Sequence, residues 1–468
     1  MLSPIAMNFK YPSPNIKLYG ELLDCYKRCL RNKRHLKKGK FHRHHELMMN
    51  DLALNIEHNT YYPGISSVFV VLNPKPREVV AASLRDRVVH HFIHGYMEPY
   101  WERRFLPNSY ACRPGKGPLA ACRDLQKFLH GYGRTQHLWY LKVDVRSFFP
   151  SIDQNILFDI IKRHLKNPRM LMLSERTLFH NPVAPGKHRR TCPPVLWDQV
   201  PRHKSLFHAK PGKGLAIGNL SSQFWANLYM NVLDQWIARA FKGKVLFWQR
   251  YVDDVLFLSE DPKQLAQMPK QIDDFLGEHL KMRLNAGKTI QQPLTRGIDH
   301  LGYIHTKGRQ TIRPSVVARA EENIKQTMQI KNDGDRNSNN SNNSDNNSDN
   351  NNDNSNSYNN DIASAVASTK LCAKLGSYFG HFHQGGKAEG LGRRRQLAAI
   401  VQNDPYWADK IFFDKEFRRP FVVDSSVDQQ ILEEKAQAAF MQDFIPAPWL
   451  QDPRFNRSLD YLQTWRRI

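Results

Sequence analysis

Between Arg250 and Leu258 the chain reads RYVDDVLFL, two adjacent aspartates set between apolar flanks. A buried carboxylate without a partner is costly, so the pair restricts the chain to two arrangements. Either the aspartates sit in a water-exposed tight turn between strands, where Asp is well tolerated, or they hold a metal. A third carboxylate belongs naturally with them: LKVDVRSFFPSID puts Asp144 at the end of another apolar strand. Three carboxylates from two adjacent strands would suit two magnesium ions, because hard oxygen ligands favour magnesium and leave positions for phosphate oxygens. Two such ions would serve an in-line phosphoryl transfer.

Charge points to the partner. Lys and Arg number 68 against 44 Asp and Glu, a formal +24, which favours polyanions. No apolar run approaches the roughly 18 residues of a membrane span, and the opening MLSPIAMNFKYPSPN has no apolar signal core. Nucleic acid is therefore the expected partner, no membrane is expected, and the cytoplasm is the expected compartment. The six cysteines include no CxxC pair, so they predict reduced thiols and no zinc ribbon.

The first unit, residues 1–60, is a basic extension; YKRCLRNKRHLKKGKFHRHH, from Tyr26 to His45, has no acidic residue and suits phosphate contact. From about Tyr61 to residue 310, strand-like and helix-like periods alternate in α+β order. LRDRVVHHFIHGYMEPYWERRF predicts an amphipathic helix burying Val88, Val89, Phe92, Ile93 and Met97. Its His90, His91 and His94 fit packing or phosphate contact better than a ligand set. Residues 311–400 are helical, interrupted at 332–361 by NDGDRNSNNSNNSDNNSDNNNDNSNSYNND. That run cannot bury enough apolar surface to offset its ordering entropy, so it is expected to be a disordered insertion. Residues 401–468 form a helical tail with a basic, aromatic end.

Outward from the twin aspartates, the sequence resembles the reverse transcriptases block after block, over roughly residues 62–400. NPKPREVVAASLRDRV resembles the fingers hairpin, LPNSYACRPGKGPLAACRDLQKFL the second block, and LKVDVRSFFPSID the first carboxylate block. GKGLAIGNLSSQFWANLYMNVLD is similar to the template-and-nucleotide helix, RYVDDVLFL to the catalytic hairpin, LNAGKTI to the block after it, HLGYIH to the primer grip and SYFGHFHQGG to the bacterial thumb. The resemblance implies a right-hand polymerase with fingers, a palm sheet carrying the YVDD hairpin, and a helical thumb. It implies catalytic Asp144, Asp253 and Asp254, which bind two magnesium ions with help from the Val145 carbonyl; manganese can substitute. Lys75, Arg77, Phe149, Ile217, Gly218, Gln223 and Lys288 would bind the deoxynucleotide, with Phe149 as the gate against a 2′-hydroxyl. Lys288 equally suits a solvated loop charge, and Phe149 core packing. Arg85, Arg87, Arg113 and Lys116 would bind nucleic acid at its backbone phosphates or help order the fingers, and Gly302 and Tyr303 would bind nucleic acid. Template RNA, primer or cDNA, and dNTPs are the implied partners.

One block departs from the commonest pattern. Where retroviral and group II intron enzymes typically read QGxxxSP, this chain reads IGNLSSQ, Ile217 to Gln223. The IGxxxSQ form resembles the reverse transcriptases of diversity-generating retroelements, which copy a template-repeat RNA with errors opposite adenine. An apolar Ile cannot make the polar contact of a Gln, and each 1.4 kcal/mol of lost discrimination is about tenfold in selectivity. This subtype implies a small basic accessory protein. The sequence contains no HNH or zinc endonuclease signature, no clear VTG element and no RNase H constellation after the thumb block. Another bacterial reverse transcriptase, of the phage-defence or group II intron-like kind, stays open. An RNA-binding scaffold with a degenerate palm and an RNA-copying RNA polymerase are further alternatives.

Overall fold

The alternation of apolar residues in SVFVV and REVVA produces the first hairpin, β1 (Ser66–Val71) and β2 (Arg77–Ala81), paired from Val71↔Arg77 to Ser67↔Ala81. The computed structural model describes residues 15–31, 44–72, 75–340, 353–414 and 417–422. The hairpin tip at 73–74, most of the basic arm (32–43), residues 341–352 and the tail from 423 onward lie outside the described residues.

The chain divides into two compact units, residues 1–115 with 141–291, and residues 116–140 with 292–468. The first holds a four-stranded sheet in the order β5–β6–β3–β7, from Phe247–Tyr251, Asp254–Ser259, Trp139–Asp144 and Ile290–Pro293. Beside β1, the short β4 (His188–Arg190) runs parallel. The helix Leu84–Glu102 buries the five apolar residues expected of it, and Ser83 caps it by accepting from the Asp86 amide at 3.2 Å. The helix Leu220–Ala240 is buried nearly all round.

Two contacts fasten that helix. His90 Nδ1 lies 2.6 Å from Ser221 Oγ. Ahead of it, the Ile217 carbonyl accepts from the Val80 amide at 2.7 Å. A Cβ on Gly218 would stand 2.6 Å from the Val80 carbonyl oxygen, so only glycine allows this approach to β2.

In the second unit, β8 (Ile298–His300), β9 (Tyr303–Thr306) and β10 (Arg309–Ile312) form an antiparallel sheet. Three helices, Pro314–Asn340, Asp353–His383 and Lys387–Gln402, share a core that includes Ile324, Leu371, Phe379, Phe382, Leu397 and Trp407. At Gly390 a Cβ would collide with the Phe382 carbonyl, which makes glycine a condition of that helix crossing. The first two helices reach into the Asn/Ser/Asp-rich run from both sides, to residue 340 and from residue 353. Helical propagation from the anchored stretches around Ile324 and Leu371 costs far less than nucleation, which explains the extension.

Between β5 and the helix Leu220–Ala240 lies a fully buried ion pair. Arg250 Nε and Nη2 donate to Asp234 Oδ1 and Oδ2 at 2.7 and 2.6 Å, and both side chains are completely buried. Removing one partner would strand a charge away from water. Asp234→Ala is expected to cost about 3–5 kcal/mol, read as a lower urea midpoint; an unchanged midpoint would show that water reaches Arg250.

Burial pushes the imidazoles of His90 and His94 down to about 4, with the Arg28 charge adding to the effect at His94. Unfolded, the same rings bind protons below about 6.5. Their contribution to stability is therefore present at neutral pH and is lost as pH falls from about 6.5 toward about 4. Denaturation at pH 5 and pH 7 should show a smaller stability difference in His90→Gln than in the wild type.

Candidate active site

β5 and β6 pair from Phe247↔Leu258 to Tyr251↔Asp254, which leaves Val252 and Asp253 as a two-residue loop. Such loops draw on positive φ, and Val252 has φ 59°. A β-branched residue resists that conformation. Arg250 supplies the restraint: its Nη1 donates to the Val252 carbonyl at 2.6 Å while Nη2 donates to Ser109 Oγ at 2.9 Å. The buried ion pair thus anchors the turn from below.

Asp144 ends β3, the strand adjacent to β6. Asp144 Oδ2 accepts from Lys288 Nζ at 2.6 Å and from Asn285 Nδ2 at 3.3 Å, and its carbonyl accepts from the Asn285 amide at 2.7 Å. Asp254 Oδ2 pairs with Lys142 Nζ at 3.0 Å, while its Oδ1 is buried without a hydrogen-bond partner. Burial, then the charges of Asp144 and Asp254, push Asp253 up to about 7. Burial also raises Asp254, against the opposing pull of Lys142. The charge of Asp144 therefore acts on both aspartates of the turn. Among the described residues, however, no three His, Cys, Asp or Glu side chains close into a ligand cluster. Asp144 and Asp254 each face a lysine. Val145 is buried and bridges Leu284.

Phe148 is buried, whereas Phe149 is half-buried and lines a small cavity with Cys112, Gln223, Asn227 and Val252. The structure therefore brings Phe149 and Gln223 to the same space as the turn. Lys75 and Arg77 are exposed near the start of β2. Ile217 is half-buried and Gly218 exposed, both beside β2.

The residues expected on nucleic acid divide differently. Arg85 and Arg87 are half-buried and donate to the Tyr62 and Ala82 carbonyls at 3.1 and 2.8 Å. Arg113 has a side chain 6% exposed that pairs with Glu102 and donates to the Leu106 and Ser109 carbonyls. Tyr303 packs inward. Buried in the core of the second unit, it stacks on His381 with ring centroids 4.4 Å apart. Its Oη donates to the His381 carbonyl at 3.0 Å, so its side chain is committed to packing. Gly302 (φ 90°) turns the chain directly above that histidine, and Lys116 is half-buried ahead of the helix Pro118–Gly131.

Sequence reasoning missed Lys142, Asp234, Arg250 and Asn285. Two carried a signal: Lys142 and Arg250 each interrupt an apolar strand, where a charge needs a partner. Asp234 and Asn285 carried none, because their partners lie 16 and 141 residues away.

Residues 73–305 match the family model described as reverse transcriptase (RNA-dependent DNA polymerase). The chain is 24% identical over 261 residues to Protein YkfC of Escherichia coli, which covers 49% of this chain and 63% of that protein. It is 31% identical over 94 residues to nuclear intron maturase 1, mitochondrial, of Arabidopsis thaliana, covering 20% of this chain and 12% of the maturase. An uncharacterized 91 kDa protein in the cob intron of Schizosaccharomyces pombe is 23% identical over 185 residues, 40% of this chain and 20% of that protein. The matches span less than two thirds of each relative. Among the described residues, no helix is long and apolar enough to cross a membrane. Residues 73–305 are thus similar to a reverse transcriptase domain.

Proposed function

We propose that the chain copies RNA into DNA, with Asp144, Asp253 and Asp254 as its catalytic carboxylates. What carries this reading is the sheet order β5–β6–β3, which sets the Asp253–Asp254 turn beside the strand that ends in Asp144. In this reading β1–β2 belongs to the fingers, the four-stranded sheet to the palm and the helices after Ile312 to the thumb.

The donor set fits divalent cations. Asp254 Oδ1 is a buried acceptor without a partner, and mutual repulsion raises Asp253. Lys288 and Lys142 neutralise Asp144 and Asp254, a role cations would take over on displacing them. The three carboxylates and the Val145 carbonyl would hold magnesium, or manganese in its place. Bound there, the ions supply positive charge for phosphoryl transfer from a dNTP to a primer 3′-hydroxyl. Lys288, released from Asp144, would be free to face the leaving pyrophosphate. Phe149 stands where an aromatic ring would exclude a 2′-hydroxyl, favouring deoxynucleotides. Arg85, Arg87 and Lys116 are the remaining candidates for template and primer phosphates.

Within that activity we favour an error-prone enzyme of a diversity-generating retroelement, copying a template-repeat RNA with a small basic accessory protein in the cytoplasm. Ile217 supports this, as an apolar side chain where related enzymes hold a polar one. The intron-associated relatives favour a second reading, a group II intron-like reverse transcriptase. A near-repeat differing at adenines in the flanking DNA would select the first; its absence would favour the second.

Two predictions follow from the site. Asp253→Asn with Asp254→Asn should abolish primer extension while raising the melting temperature of the metal-free protein, because repulsion between half-buried carboxylates is removed. Magnesium should stabilise the wild type and not the double variant; equal stabilisation would remove these aspartates from the metal site. Ile217→Gln should lower misincorporation opposite template adenine severalfold when cDNA is sequenced. An unchanged error spectrum would take this position out of the explanation.

A further inference from the structure

The segment PRHKSLFHAKPGKG, residues 201–214, took no role in the sequence reading beyond its last residues. In the structure it is tied to the β1–β2 hairpin by a buried carboxylate. Glu78, on β2, accepts from Ser205 Oγ at 2.5 Å and from the Leu206 amide at 2.8 Å. Both oxygens of Glu78 are thereby used, and the residue is 6% exposed. The clamp holds Lys204, next to Ser205, in the same locality as Arg77, next to Glu78. On its other side the turn Arg202–Lys204 packs against Phe148–Ser151, the segment following Asp144 and Val145.

Lys204 is half-buried. Its ammonium is made more acidic first by burial, then by the charges of Lys75, Lys288 and Arg77, against the pull of Asp144. Four cations therefore share one electrostatic neighbourhood. Lys288 is paired with Asp144, whereas among the described residues Lys75, Arg77 and Lys204 have no ion-pair partner. Elsewhere in the same unit Arg250 is compensated by Asp234, Arg113 by Glu102 and Lys142 by Asp254, while the half-buried Arg87 donates to the Ala82 carbonyl. Clustering unpaired like charges and partly desolvating one of them is unfavourable unless an anion completes the set. The anion must carry several charges and reach from the β1–β2 hairpin to the carboxylate end of β3. A polyphosphate meets both requirements, and a lysine binds phosphate as a point charge.

We infer that Lys204 binds the triphosphate tail of the incoming nucleotide, completing with Lys75, Arg77 and Lys288 a cationic cradle that the Glu78 clamp assembles. The assignment rests on the polymerase reading above and adds to it a residue from the stretch between the Asp144 strand and the IGNLSSQ helix. The same cradle would hold pyrophosphate after transfer, so Lys204 would also govern inhibition by that product.

The test uses the full chain on an RNA template with a DNA primer, comparing wild type with Lys204→Ala and Lys204→Arg. Single-nucleotide incorporation should show KM for the dNTP raised about tenfold in Lys204→Ala, equivalent to about 1.4 kcal/mol. Inhibition by pyrophosphate should weaken by a similar factor, primer–template affinity should stay unchanged, and Lys204→Arg should recover most of the loss. Unchanged KM and pyrophosphate inhibition would overturn the assignment. A fall in primer–template affinity with KM intact would also overturn it, placing Lys204 on a nucleic-acid phosphate. Direct titration of dTTP and of pyrophosphate into wild type and Lys204→Ala decides the point without turnover. If the wild type extends no primer, the polymerase reading fails, while equal binding to both proteins in that titration defeats the Lys204 assignment by itself. Lys204→Met, which keeps the apolar stem, replaces the alanine variant should the latter melt early.

Discussion

The Arg250–Asp234 pair is the interaction on which the candidate site depends. Its two charges are fully withdrawn from water, and five hydrogen bonds from the guanidinium reach Asp234, Asn227, Ser109 and Val252. Buried ion pairs contribute little net stability against an apolar substitute, but they demand one geometry. That geometry is useful here. The Nη1 donor closes on the Val252 carbonyl, and Val252 holds a conformation its branched side chain disfavours. Strain at the turn is therefore offset by bonds made inside the unit, and the adjacent Asp253 and Asp254 inherit a defined position.

The surroundings of the carboxylates follow the same logic of compensated charge. Lys142 alternates with the apolar residues of β3, so it points to the same sheet neighbourhood as Asp254 and pairs with it. Lys288 meets Asp144 from the turn after Asn285. These ammonium groups hold down repulsion that would otherwise act against folding. Of the two contacts, that of the half-exposed Lys288 is the weaker and more exchangeable. The neighbouring cluster of Lys75, Arg77 and Lys204 has the opposite character. Among the described residues its charges have no carboxylate partner.

Reading along the chain exposed the carboxylates, the hairpin, the amphipathic helix and the likeness to reverse transcriptases, since each depends on residues close in sequence. Twin aspartates between apolar runs, apolar residues at helical spacing and the order of short blocks are all local patterns. The Asn/Ser/Asp-rich run was legible as a composition but not in its extent: flanking helices, anchored by Ile324 and Leu371, carry helical backbone into it. Arg113 was expected on phosphate or in ordering the fingers, and Tyr303 on nucleic acid through its HLGYIH block. Their contacts in the fold, Glu102 in one case and the ring of His381 in the other, join residues too far apart in sequence to be read from it.

The sequence alone determined which chemistry is present: three acidic side chains, a basic surplus, an aromatic residue five positions after Asp144 and an isoleucine ahead of Gly218. These are properties of residue type and short spacing, and no fold changes them. Only the tertiary structure decided which charges are partnered. Arg250 and Asp234 are 16 residues apart, Lys288 and Asp144 are 144 apart, and Glu78 and Ser205 are 127 apart. Electrostatic energy depends on distance through space and on the water excluded between groups, and neither quantity is written along the chain.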